Sequence, residues 1–151
     1  MKFSHPDDEL IRQPIGYWSW AANTSVINHI RKALATVGLT QPQWWVLNQL
    51  GDPAGVHTRD GLTQLLQGYL GVGDQLQVDI DDLISRDLIA VDEEDGVALT
   101  AHGEQVLADA KDVQRVAQAQ IHHGVSDEQL LTTMKVLQRM IHNTDGKFWH
   151  H

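Results

Sequence analysis

The sequence predicts a mainly α-helical protein with one small β-hairpin, and three observations support this fold class. Apolar residues in the middle of the chain recur at helical spacing (Leu76, Ile80, Leu83, Ile84, Leu88). A short alternating pattern follows, with Ile89 and Val91 before the turn 94–96 and with Val97 and Leu99 after it. Long amphipathic patterns flank this region on both sides. A winged helix-turn-helix has this order of helix, hairpin wing and further helix.

A long first helix is predicted over residues 14–37. Pro14 suits a first helical turn, and Gly38 is suited to the position after the last turn. The residues between them form one apolar stripe (Ile15, Trp18, Ala22, Val26, Ile30, Ala33, Leu34, Val37). Residues 1–13 are polar, and we expect them to be loosely held.

Two shorter helices are predicted next. Thr40 and Gln43 have capping-box spacing, so a helix begins there and buries Trp44, Leu47 and Leu50, and residues 51–53 end it. A third helix begins near Thr58 and carries an apolar face (Leu62, Leu65, Leu66, Tyr69). The glycine-bearing turn Gly71-Val72-Gly73 joins it to the helix of 74–86, as in a helix-turn-helix.

The chain after the hairpin predicts two more helices. Thr100 caps a helix that reaches about His123 with a seam of apolar and small residues (Leu107, Ala110, Val113, Ala117, Ile121). Ser126 and Gln129 form a second capping box. The last helix, ending at 143–146, spaces its apolar residues by four, three and four, as in a coiled-coil seam (Leu130, Met134, Leu137, Ile141).

Length and composition favour one folded domain. The 151 residues are 42% hydrophobic and 21% charged, which is ordinary for a globular chain. There is no cysteine, and no apolar run approaches the roughly 20 residues of a membrane span. The first residues lack the apolar segment of a secretory signal. We therefore expect a cytoplasmic protein without disulfides.

The charge distribution argues against simple nucleic-acid binding. Between Asp74 and Asp95 the sequence has nine acidic residues and one basic residue, Arg86, so this window carries −8 of the net charge of −9. DNA affinity comes largely from neutralising phosphates, which these carboxylates repel. The basic residues close to this window are Arg59 and Arg86.

Aromatic residues and histidines suggest a second kind of site. Trp18, Trp44 and Trp45 lie in two aromatic clusters. Adjacent residues of a helix point in different directions, so Trp44 and Trp45 cannot both face the same core. They either line a small-ligand pocket, with His29 as a polar contact, or pack in the core and a dimer interface. The nine histidines lack the spacing of a metal site, and we expect no cofactor. No glycine-rich phosphate loop, nucleophile elbow or cysteine nucleophile is present, so we expect no enzyme.

In the order of its elements the chain resembles the MarR family of winged-helix regulators. The resemblance is carried by GLTQPQWWVLNQL (38–50), by the helix-turn-helix of 58–86 and by LISRDLIAVDEEDGVALTAHGEQVLADA (83–110). It covers about residues 14–143. It implies one MarR-like domain over 1–151, with a winged-helix lobe at about 40–100 and dimerisation helices at about 14–37 and 101–144. It also implies a homodimer, a groove-reading helix, a minor-groove wing and often a small-molecule pocket.

Three positions depart from the family pattern. The hairpin tip 92–96 is short and acidic where the family has a longer wing with arginines. Val78 stands where the family usually has an arginine or a polar residue, and Asp87 replaces a glycine before the hairpin. Aspartate tolerates the left-handed conformation that such a turn needs.

Two functions stay open from the sequence. In the first, the protein is a MarR-like transcriptional regulator tuned by a small aromatic ligand. In this function the bases of the DNA would be contacted by Gln75, Gln77 and Val78. The DNA backbone would be held by Thr58, Arg59 and Arg86. In the second, it is a winged-helix protein-interaction module that has lost DNA binding and engages a basic protein surface through its acidic helix.

Overall fold

The computed structural model describes residues 2–52, 55, 57–69 and 75–147, and the side chains of Gln67 and Gln75 lie outside that description. The N-terminal half contains five helical elements and one strand. They are α1 Asp7–Leu10, α2 Ile15–Ala35, α3 Gln41–Leu50, β1 His57–Thr58, α4 Arg59–Leu66 and a 3-10 turn at Gln67–Tyr69. The C-terminal half has α5 Gln75–Ser85, the strands β2 Ile89–Val91 and β3 Gly96–Leu99, then α6 Ala101–Ile121 and α7 Asp127–Asn143.

The core lies between the end of α2, the helices α3 to α5 and the start of α6. It contains aliphatic residues from each of these elements and from the hairpin (Leu34, Leu39, Val46, Leu47, Leu62, Leu66, Leu76, Ile80, Leu83, Leu88, Ile89, Val97, Leu107, Ala110). Trp44, Trp45 and Leu50 are half-buried against it. All but one of the five apolar residues predicted for α5 and its end are fully buried, and Ile84 is half-buried. This burial fixes which face of α5 points outward.

The hairpin belongs to a three-stranded antiparallel sheet with strand order β1-β3-β2. Ile89 pairs with Leu99 and Val91 with Val97, as the alternating pattern predicts. The two-residue strand β1, in which His57 pairs with Val97, was not predicted, because two residues carry no readable alternation. It ties the start of α4 to the wing, so the wing and the helix-turn-helix form one lobe.

The predicted helix boundaries agree with the structure within a few residues. Both capping boxes are formed, at Thr40 and at Ser126, and Gly38 (φ 71°) follows α2 in the left-handed conformation. Asp87 also adopts positive φ, at 55°, as expected for the position where the family has glycine. The described part of the N-terminal segment contains the short helix α1, which buries no residue, so the expectation of a loosely held segment stays a prediction. The predicted turn 71–73 and Pro53 lie outside the described residues.

Candidate nucleic-acid interface

Helices α4 and α5 form the helix-turn-helix, and α5 is the candidate reading helix. Its inner face is anchored by Leu76, Ile80 and Leu83, each with no exposed surface. On the opposite face of the helix, Val78 is 70% exposed, and Asp81 and Ser85 continue the same outward row. This row is the face that α5 presents to solvent.

Arg59, at the start of α4, is tied to α5 by two contacts. Its Nη2 donates to Oδ1 of Asp81 in an ion pair, and its Nε donates to Oε1 of Gln77 at 3.2 Å. The amide nitrogen of Gln77 in turn donates to the hydroxyl of Thr63 at 2.8 Å. The side chain of Gln77 is thus half-buried between α4 and Arg59, with both of its polar ends bonded inside the protein.

A second network joins the other end of α5 to α3. The buried Gln43 donates from its amide nitrogen to Oδ2 of Asp82 at 2.8 Å. Arg86 donates to the same carboxylate oxygen at 3.1 Å. Both arginines that the sequence suggested for phosphate contacts therefore pair with carboxylates of α5. The two pairs offset part of the negative charge that the sequence places on this helix.

The carboxyl group of Asp79 has a perturbed pKa. Thr40 donates its hydroxyl to Oδ1 of Asp79 at 2.9 Å. Partial burial raises the pKa of Asp79 above its usual 3.8, the Thr40 hydrogen bond lowers it, and the nearby charge of Asp82 raises it further. The net direction is upward, so desolvation outweighs the hydrogen bond.

The other predicted contact residues are placed as follows. The hydroxyl of Thr58 accepts from the backbone N–H of Gly61 at 3.1 Å, so it serves the first turn of α4. Gln75 is the first residue of α5, and its side chain lies outside the described residues. The outward row thus includes Val78 from the predicted base-reading residues, while Gln77 lies beneath Arg59.

The tip of the wing is a compact acidic turn. Oδ1 of Asp92 accepts from the backbone N–H groups of Glu94 and Gly96, each at 2.8 Å. Asp95 adopts φ 64°, a conformation that aspartate tolerates better than most residues. Residues 92–95 are all exposed. The turn chemistry explains Asp92, whereas no described contact neutralises the other acids at the tip.

The four residues predicted to bind a ligand do not meet in one place. Trp18 is 38% exposed on the first half of α2 and lies edge-on to Tyr17. Trp44 packs against the core, and Trp45 stacks on Tyr69 with ring centroids 5.3 Å apart. His29 instead lies in a groove of about 520 Å³ between α2 and α6, where it shares a hydrogen bond of 2.8 Å with Gln120.

That groove combines an apolar lining with charged groups. Its apolar lining is Ala33, Val113, Val116 and Ala117. Its charged lining is Lys32 and the ion pair of Arg115 with Asp112, at 3.3 Å. Across the described residues no group of three or more histidines and acids is close enough to hold a metal ion. No helix in the described part of the chain is long and apolar enough to cross a membrane.

Sequence reasoning missed Thr63, Gln43 and Asp81 as partners of the predicted contact residues. A partial signal existed for Gln43, since a glutamine within an apolar stretch needs hydrogen-bond partners once it is buried. The pairing of Arg59 with Asp81 joins residues 22 positions apart, and no local pattern predicts such a contact.

Comparisons with known proteins match the chain by structure. No protein-family model matches the sequence, and a search of curated proteins finds no match. A MarR family protein of Mycobacterium tuberculosis, crystallised with DNA, is similar with a TM-score of 0.66 and 21% identity over 85% of this chain and 98% of its own. The reduced form of MarR from E. coli gives 0.67 at 18% identity, over 88% of this chain and 98% of its own.

The same mycobacterial protein in complex with salicylic acid gives a TM-score of 0.60 and 22% identity, covering 84% of this chain and 98% of its own. The match covers nearly the whole length of each of these structures. The similarity therefore spans both the winged-helix lobe and the long terminal helices. The fold of this chain is the winged-helix fold of the MarR family transcriptional regulators.

Proposed function

We propose that this chain is a MarR-like, DNA-binding transcriptional regulator whose α5 enters the major groove. The observation that carries the proposal is the outward row of α5, with Val78 70% exposed on the second helix of a helix-turn-helix. In this motif the second helix is the one that contacts base edges. The similar mycobacterial protein has been crystallised in complex with DNA, which supports the same use of the fold here.

Arg59 and Arg86 are proposed to hold the DNA backbone while remaining paired with α5. A guanidinium has five N–H donors, and the contacts of Arg59 with the protein use Nε and Nη2. Remaining donors can reach a phosphate without breaking the pair with Asp81. The carboxylates lower the net positive charge that a phosphate meets, so we expect weak binding to non-specific DNA with a shallow dependence on salt.

We propose that the protein acts as a homodimer built from α2, α6 and α7. No described residue of α7 is fully buried in the single chain. The helix nevertheless carries an apolar seam, in which Met134 is 53% exposed and the other members are half-buried (Leu130, Leu137, Ile141). The first half of α2 exposes further large apolar side chains (Ile15, Tyr17, Trp18, Trp20). A two-fold dimer would present two copies of α5 to half-sites about 34 Å apart, one turn of DNA.

The groove between α2 and α6 is proposed as the site of a small aromatic acid. The apolar lining fits a ring, and Lys32 can pair with a carboxylate, whereas Arg115 is already paired with Asp112. The mycobacterial protein crystallised with salicylic acid supports a ligand of this class. Of the four residues predicted for this role, His29 lies in the groove.

The proposed function is tested by a salt titration of binding to random duplex DNA. We expect weak binding whose affinity falls as salt is added. Arg59→Ala should weaken binding to all sequences and reduce the salt slope by about one unit per protomer of the proposed dimer. Gln75→Ala should change sequence preference instead. Lys111→Ala, which removes an exposed basic residue of α6, is the matched control and should leave both unchanged.

A second candidate function is favoured by the acidic surface. Exposed acids at 92–95 and the carboxylates of α5 suit a basic protein surface, and the two arginines that would counter them are internally paired. In this reading the fold is a winged-helix interaction module. Absence of any duplex binding at low salt would support this module and exclude the regulator.

A further inference from the structure

The outward face of α5 offers acceptors and methyl groups but few donors. Its described outward side chains are Val78, Asp81, Asp82 and Ser85. Among these only Ser85 has a donor hydrogen, and its hydroxyl donates to the backbone carbonyl of Asp82 at 2.8 Å. The commonest specific contact in the major groove, a basic side chain to guanine O6 and N7, is therefore unavailable from these four positions.

Val78 and Asp81 are the two outward residues positioned to touch bases. Val78 is 70% exposed, and the carboxylate of Asp81 is 64% exposed although Arg59 holds it. The ion pair restricts the rotamers of Asp81 while leaving acceptor capacity on its oxygens. Three residues along a helix rise about 4.5 Å, close to the 3.4 Å between base pairs. The two side chains can thus meet neighbouring base pairs.

The chemistry of these side chains selects particular bases. The valine methyls can pack on the C5-methyl group of thymine. The carboxylate needs an amino group, which cytosine and adenine both present in the major groove. The adenine amino group lies between two acceptors, its own N7 and O4 of the paired thymine. The cytosine amino group has an acceptor, guanine O6, on one side only, so repulsion of the carboxylate is weaker there.

We infer that Val78 and Asp81 set the sequence preference of α5, reading a thymine methyl and a cytosine amino group on adjacent base pairs. Arg59 and Gln77 act as positioning residues, since they hold Asp81 and each other from α4. This inference rests on the proposed DNA-binding function and states which bases that function recognises.

Selection from a randomised duplex library at low salt tests the role of Asp81. The full chain should enrich cytosine at one position of the half-site. Asp81→Asn should move the preference there to adenine, because an asparagine amide pairs with adenine N6 and N7, with a change of about tenfold in relative affinity. Asp109→Asn, which removes an exposed acidic charge of α6, is the matched control and should enrich the same sequences as the parent chain.

Substitution of the enriched thymine by deoxyuridine tests the role of Val78. Loss of the methyl group should weaken binding of the parent chain about fourfold, the equivalent of one buried methyl-sized group. Val78→Ala should bind both duplexes equally. Circular dichroism would establish that each variant is folded.

The outcomes separate this inference from the function on which it rests. If the parent chain enriches duplexes but Asp81→Asn leaves the preference unchanged, or guanine is selected at that position, the assignment of Asp81 is overturned. Equal loss on uracil substitution in the parent and in Val78→Ala overturns the assignment of Val78. If no duplex is retained by any form at low salt, the proposed DNA-binding function fails, and the base assignments fail with it.

Discussion

At the scale of single residues, Gly103 allows the first turn of α6 to pack closely against the end of the α5 segment. The first turn of α6 lies against the carbonyl of Leu88, where the backbone N–H of Thr100 donates to the same oxygen at 3.1 Å. A Cβ atom at Gly103 would lie 1.9 Å from that oxygen. Glycine therefore permits the close approach that joins α6 to the end of α5.

Gly103→Ala is expected to destabilise the fold by about 1–3 kcal/mol, because backbone on both sides of the contact must shift. Urea unfolding followed by circular dichroism measures the change. Gly16→Ala is the control, since nothing lies within 4 Å of a Cβ atom there and α2 is helical at that position. It should be neutral or stabilise by up to ~1 kcal/mol. Equal stability of the two variants would contradict the packing argument.

Asp79 predicts a pH dependence of stability. Its pKa is raised above 3.8 in the folded chain, so the folded state binds this proton more tightly than the unfolded state. The associated stability is present below pH 3.8 and is lost as pH rises through the folded-state pKa. Asp79→Asn keeps an acceptor for the Thr40 hydroxyl and removes the penalised charge.

Thermal unfolding should therefore give Asp79→Asn a higher Tm than the parent chain at neutral pH, with the difference shrinking as pH falls toward 3.8. Asp112→Asn, an exposed acid on α6, serves as the comparison for general charge effects. A difference in Tm that is independent of pH would show that burial of the Asp79 charge is not its cause.

At the scale of elements, α3 and α7 begin with the same capping box but use it differently. In both, a hydroxyl accepts from the backbone N–H three residues on at 3.2 Å, and a glutamine side chain accepts from the capping residue. Thr40 alone of the two also donates to a neighbouring helix, through Asp79. The cap of α3 is therefore also the link between α3 and α5, which sets the position of the reading helix.

Removing the two caps should separate these roles. Ser126→Ala should cost about 1 kcal/mol, the ordinary value of a cap. Thr40→Ala should cost about 2 kcal/mol, since a hydrogen bond to Asp79 is lost as well. Thr40→Ser retains both contacts and should recover most of the loss. Denaturant unfolding measures all three, and equal costs for the two alanine variants would show that the Asp79 contact contributes nothing.

At the scale of the whole molecule, the terminal helices leave apolar side chains exposed in a single chain. The apolar face of α7 and the aromatic first half of α2 are exposed, whereas the winged-helix lobe has a closed core. Large exposed apolar patches mark interaction surfaces. The proposed homodimer covers these faces and also places two copies of α5 on one side of the assembly.

Met134→Asp is expected to dissociate this dimer, because it puts a charge into the centre of the α7 seam, where Met134 is 53% exposed in the single chain. Sedimentation should change from about twice the chain mass of 16.9 kDa to the chain mass itself. Thr132→Asp, on the polar side of α7, is the control and should leave the dimer intact. A parent chain that sediments as a monomer would refute the proposed assembly.

The helices, their caps and the hairpin could be predicted from the chain itself, because each depends on residues within a few positions of one another. Thr40 with Gln43, Ser126 with Gln129 and the period of Leu76, Ile80 and Leu83 are signals of this kind. The exposed charge of the wing and the exposure of Val78 followed from the same patterns.

Contacts between distant segments were decided by tertiary packing alone. The strand β1 exists because His57 and Thr58 meet β3 about 40 residues later. The pairing of Arg59 with Asp81 and the inward position of Gln77 depend on how α4 crosses α5. Helical periodicity gives the direction of a side chain relative to its own axis, whereas its partner depends on where another helix lies. For this reason the acidic reading helix is recognisable in the sequence, while the pairing of Arg59 with Asp81 becomes visible once the helices are packed.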